Sequence, residues 1–175
     1  MKHTGMLALK ISMVALLFAS VCIAQGGRKG ADQTQSIVVL PFESSVKGAS
    51  GLPEATRTAI IQMIKDEALF AAVLTPEEAK DKDKDKATML ELSARLVDFE
   101  PGNAAKRVLV GFGGGRAHAG FEFVIKDSKG ELWKKTLKSN ASFWFNGTTS
   151  SAAERAELPE GVAKKLIEEL KKRNR

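Results

Sequence analysis

The chain of 175 residues has one cysteine, Cys22. It therefore forms no internal disulfide, builds no thiolate metal site and carries no dithiol redox chemistry. Histidine is almost as scarce, with His3 and His118 the two present. His118 is alone beyond the first 24 residues, so a histidine-based metal cluster is excluded and no catalytic triad has partners to choose among. No apolar run reaches the roughly 20 residues of a helical membrane span. Neither sign of charge dominates, since 27 Lys plus Arg stand against 21 Asp plus Glu for a net +6.

What is present begins with the layout of a secretory signal. Lys2 and Lys10 give a charged start, Ile11 to Val21 are largely apolar, and Cys22-Ile23-Ala24 precede the polar Gln25. This predicts a signal peptide over 1–24, cleavage before Gln25 and a periplasmic or secreted protein. The alternative is a lipoprotein signal, in which a lipidated Cys22 becomes the mature first residue and anchors the protein in the outer membrane. Such signals favour a small residue before the cysteine, where this chain has the branched Val21, whereas Ala24 suits ordinary cleavage. Removing 24 of 175 residues leaves 151, the size of one domain, and lowers the net charge to +4 because Lys2 and Lys10 leave without an acid.

Residues 25–35 are polar and read as a flexible lead-in to a single domain over 36–175. Ser36 to Phe42 is a short β-branched run stopped by Pro41, the pattern of a strand buried in mid-sheet. Pro53 and Glu54 open a helix with Thr56, Ala59, Ile60, Met63 and Ile64 on one face. Phe70 to Leu74 is a second strand, and Thr75-Pro76-Glu77-Glu78 has the order of a capping box opening a brief helix to Lys80. Lys80 to Lys86 alternates charge and reads as a solvated linker.

From Ala87 to Phe99 the pattern alternates, placing Leu90, Leu92, Ala94 and Leu96 on one face before a turn at Pro101-Gly102-Asn103. Arg107 to Phe112 is expected as the next strand. Phe121, Phe123 and Ile125 alternate again, Asp127 to Gly130 has hairpin-turn chemistry, and Glu131 to Leu137 returns. A final helix is expected from about Pro159 to Lys172, carrying Val162, Ala163, Leu166, Ile167 and Leu170, with Ser151 to Glu157 as a preceding helical turn. The whole is α+β: a mixed, mostly antiparallel sheet with two main helices packed on one face. The first strand, helix and second strand suit a right-handed crossover.

Two stretches resemble known families. Ile37 to Phe42, the helix from Leu52, and Leu69 to Leu74 resemble the opening of bacterial envelope domains such as the Tol-system periplasmic protein and the curli-secretion lipoprotein. Phe99-Glu100-Pro101-Gly102-Asn103, Arg107, Gly111 to Ala117, and Asp127 with Gly130 look like the 4410 family among domains of unknown function. That resemblance covers roughly 36–170. It implies a small secreted or lipid-anchored bacterial protein and brings no catalytic residues.

The residues agree in not pointing to an enzyme. Gly111 to Gly115 lacks the Gly-Lys-Ser/Thr ending of a phosphate loop, so its glycines are expected to serve backbone geometry. Asp98, Glu100, Glu122 and Asp127 are scattered, with no spacing that pairs two of them for acid–base work. His118 is expected at the sheet surface, and a hydrolase using it with Asp98 or Glu100 requires these groups to converge in a pocket. No catalytic residue, metal or cofactor is expected.

The expected role is a non-enzymatic envelope module acting by protein–protein contact. Phe143-Trp144-Phe145 is the candidate partner surface, because strand alternation points Trp144 away from its neighbours, and Arg116 is a further candidate. The basic end at Lys164, Lys165 and Lys171 to Arg175 complements a helix dipole. Binding of an acidic polymer or lipid headgroup through it is the alternative. No nucleic acid is expected as partner, and membrane contact is expected only if Cys22 is lipidated.

Overall fold

The computed structural model describes residues 35–81, 89–103, 115–141 and 151–173. The expected signal peptide, most of the lead-in, residues 82–86 of the charged linker, the first two residues of the alternating stretch from Ala87, the expected strand 107–112 and Phe143 to Phe145 lie outside the described residues. In chain order the elements are β1 (Ser36–Val39), β2 (Glu43–Ser44), α1 (Leu52–Asp66), β3 (Ala72–Leu74), α2 (Pro76–Lys80), β4 (Met89–Pro101), β5 (Ala117–Asp127), β6 (Gly130–Asn140) and α3 (Ser151–Arg173). The sheet runs β3-β1-β4-β5-β6, with β2 alongside β4. It is mixed: β1 is parallel to β3 and β4, and β2 to β4, while β4, β5 and β6 form an antiparallel meander. The fold is α+β.

β1 lies between two strands, which explains its continuous apolar run. Ile37 and Val39 enter the main core, whereas Val38 points to the opposite face and joins Leu74 and Met89 in a smaller cluster with Leu40, Ala72 and Ala79. Both faces of this strand are buried, so alternation is absent where it would otherwise be read. The helix α2 contributes Ala79 to the smaller cluster and so covers that second face. It opens with the capping box read from the sequence: Thr75 Oγ1 accepts from the Glu78 N–H while Glu78 Oε2 accepts from the Thr75 N–H at 2.7 Å.

The main core lies between the sheet and the two longer helices. Leu92, Leu96, Phe121, Phe123 and Ile125 are fully buried from the sheet, and Ile60, Ile64, Leu158, Val162 and Leu166 from the helices. Each such side chain contributes about 1.5–3 kcal/mol by leaving water. Phe42 stands edge-on to Phe123, ring centres 6.0 Å apart. The β5–β6 hairpin closes as expected at Asp127, whose Oδ1 accepts from the N–H groups of Lys129 and Gly130.

One expectation changes. The last helix does not begin near Pro159 but runs unbroken from Ser151 to Arg173 with that proline inside it. Proline there removes one helical hydrogen bond, a cost of about 3 kcal/mol in an ordinary helix. Leu158, fully buried, extends the stripe of Val162, Leu166 and Leu170 by one more four-residue step and holds the earlier turns against the core.

Candidate functional site

Strand alternation gives the meander one apolar face and one charged face, and a single bulge decides which residues reach the latter. Leu96 pairs with Phe121 but Asp98 pairs with Gly120, so Val97 is an extra residue in β4. Before it the even-numbered Leu90, Leu92, Ala94 and Leu96 face the core; after it the odd-numbered Phe99 packs on the core. Asp98 and Glu100 therefore turn outward, beside His118.

His118, paired with Glu100 in the register, sits between two carboxylates. Its Nε2 is 3.4 Å from Asp98 Oδ1 and its Nδ1 is 3.7 Å from Glu100 Oε2. On the other side of β5, Lys138 Nζ is 2.8 Å from Asp98 Oδ2. That hydrogen bond, helped by its charge and by His118, holds the Asp98 carboxyl below its ordinary range. Along the same face Glu122 is clamped by Lys134 Nζ at 3.1 Å and Arg95 Nη2 at 3.2 Å, with its carboxyl lowered chiefly by the Lys134 hydrogen bond.

The sequence singled out Asp98, Glu100 and His118 as a group that acts only if it converges, and it does converge. It does so on an open strand face, with side chains 28% exposed for His118, 36% for Asp98 and 44% for Glu100. The two acids meet different ring nitrogens, so one ion could not bind all three through the positions they hold. Among the described residues no group of three or more His, Cys, Asp and Glu is placed to hold a metal ion. A cleft of about 580 Å³ lies elsewhere, between α2 and the β5–β6 turn, lined by Val38, Leu40, Pro76, Met89 and Lys126 among others.

Arg116 directly precedes β5 and is half-buried. Ala141 N–H donates to Ala117 C=O at 2.9 Å, which sets Ala141 beside the start of β5 next to Arg116. The sequence reading missed Lys138, which lies two strands from Asp98 and becomes its neighbour only through the register. The basic end of α3 is engaged locally: Lys171 pairs with Glu67, and Lys172 with Glu169. Of the glycine run, Gly115 is described; its φ of 75° is a left-handed conformation suited to glycine, and its carbonyl accepts from Asn103 N–H at 2.7 Å.

Fold and face define a small α+β domain with a mixed sheet, two helices on its apolar face and a charged opposite face. The chain belongs to the family described as Domain of unknown function (DUF4410), whose model matches residues 41–147. No catalytic family is indicated. The fold is shared with protein XCC0632 from Xanthomonas campestris, of DUF330, at 12% identity and TM-score 0.55 over 85% of this chain and 88% of that one. It is also shared with PelC from Paraburkholderia phytofirmans, described as a dodecamer, in two crystal structures. These give 11% identity with TM-scores of 0.50 and 0.52, over 74% and 81% of this chain and 86% and 92% of the PelC chains. No curated protein sequence matches the chain.

Proposed function

We propose that the chain is a non-enzymatic module of the bacterial envelope that works by protein–protein contact and assembly. The observation that carries this reading is the placement of its ionisable groups. Asp98, Glu100, His118 and Lys138 gather on an open sheet face where opposite charges hold one another, an arrangement suited to specifying a contact. The use of the same fold in the PelC dodecamer supports assembly as its task. A leader over 1–24 would deliver the protein to the periplasm, with Cys22 as the anchor if it is lipidated. Phe143, Trp144, Phe145 and Arg116 are the side chains assigned to partner binding.

The test is retention of envelope proteins by the immobilised mature chain, identification of the retained protein by mass, and reconstitution with that protein purified. Binding of the purified partner, weakened by Lys138→Glu, is the expected result. Turnover of a substrate, or salt-sensitive binding of an anionic polymer with no protein retained, would overturn the reading.

A further inference from the structure

We propose that copies of this chain join edge to edge, the outer strand β6 of one docking against the β3–α2 flank of the next. This rests on the assembly reading and names its partner as a second copy of the chain.

The backbone supplies the first argument. Among the described residues β6 is the outermost strand on its side of the sheet. The bond from Ala141 N–H to Ala117 C=O joins directly opposed residues, and in antiparallel pairs bonded and non-bonded positions alternate. Leu137 and Ser139 thus bond to β5, while Lys134, Thr136 and Lys138 turn their N–H and C=O groups outward. Lys165 Nζ donates to the outward carbonyl of Lys138, as that phase requires. Edge strands are commonly guarded by lysines reaching into solvent. Here Lys134 folds back onto Glu122, Lys138 onto Asp98 and Lys135 onto Glu169, so the edge at 134–136 is presented to a further strand.

Charge supplies the second. Residues 72–81, from β3 through α2, carry three acids, Glu77, Glu78 and Asp81, against one base, Lys80. β6 carries three bases, Lys134, Lys135 and Lys138, against one acid, Glu131. Among the described residues β3 and β6 stand at the two ends of the strand order. Pairing of β6 with itself about Thr136 would set Lys134 opposite Lys138, whereas head-to-tail docking sets the basic edge against the acidic one. A head-to-tail contact repeats, closing into a ring or extending as a filament.

The experiment is sedimentation velocity on the chain produced with its own leader, across a wide range of concentration and salt. The expected result is a species larger than a dimer that dissociates as salt rises. Thr136→Pro removes no β5–β6 hydrogen bond, because that N–H points outward, and is expected to leave the circular dichroism unchanged while yielding monomer. Glu77→Lys on the exposed first turn of α2 is expected to weaken association about tenfold at low salt. It decides the matter alone if the proline variant fails to fold. A monomer under all conditions, or an oligomer indifferent to Glu77→Lys and to a folded Thr136→Pro, overturns the proposal. A monomer that still retains a purified envelope partner overturns self-association and leaves the broader reading standing.

Discussion

Asp98 on β4 and Lys138 on β6 form a 2.8 Å ion pair across Gly120, the residue that separates them in the register. A Cβ at 120 would stand 3.1 Å from Asp98 Cβ and 3.3 Å from Lys138 Cγ, so the pair closes over the one residue type that leaves it room. The Lys138 hydrogen bond holds the Asp98 carboxyl below its ordinary 3.8. A carboxylate depressed in the folded state contributes stability that is present above the unfolded value and lost as pH falls through the folded one, here below about pH 4.

Lys138→Met is therefore expected to raise the Asp98 pKa, read by NMR titration of its carboxyl carbon. Because both groups are substantially exposed, the loss at neutral pH should stay within about 1 kcal/mol. Identical Asp98 titration in the two proteins would show that the pair does not persist in solution.

Ala68 ends α1 in a left-handed conformation, φ 47°, that ordinarily belongs to glycine. Its N–H donates to Lys65 C=O and that of Leu69 to Ile64 C=O, the two bonds of a Schellman ending, with Leu69 and Ile64 both buried. Relieving the side-chain clash should outweigh the added freedom of the unfolded chain. Ala68→Gly is expected to raise stability by about 0.5–1 kcal/mol in urea melts. A loss of stability would mean that the ending relaxes in solution.

At Gly161 of α3 an added Cβ would overlap Ser139 Oγ of β6. Alanine is the better helix former by about 1 kcal/mol, but overpacking costs about 1–3 kcal/mol, so Gly161→Ala is expected to destabilise. In a Ser139→Ala background the overlapping oxygen is gone and the remaining neighbour, the residue's Cβ, stands at an ordinary 3.5 Å. There Gly161→Ala should be neutral or stabilising. An equal cost in both backgrounds would place the strain elsewhere.

Local chemistry was the legible part of this sequence. The Thr75–Glu78 capping box, the Asp127 turn and the alternation of Phe121, Phe123 and Ile125 depend on residues a few positions apart and appear as read. The charged face was not legible, because the bulge at Val97 reverses the alternation. Extending the pattern of Leu90 to Leu96 would bury Asp98 and Glu100, and the sequence does not mark the extra residue. Lys138 was missed for the related reason that its neighbours are set by two strand registers at once. Pro159 reads locally as a helix start, and burial of Leu158 overrides it.

The aromatic triplet after β6 offers the most direct functional test. If 143–145 continue in extended conformation, Phe143 and Phe145 share one side and Trp144 takes the other, where a large rigid ring with one donor can anchor a partner. Trp144→Ala is then expected to weaken binding of the purified envelope partner by more than about 1 kcal/mol while changing stability by less than about 1 kcal/mol. Two measurements separate the readings: an affinity against the reconstituted partner and a denaturant melt of the variant alone. Loss of the roughly 3–5 kcal/mol of an emptied aromatic core site would make Trp144 part of the core. The partner surface would then have to be sought on the charged face around Asp98 and Lys138.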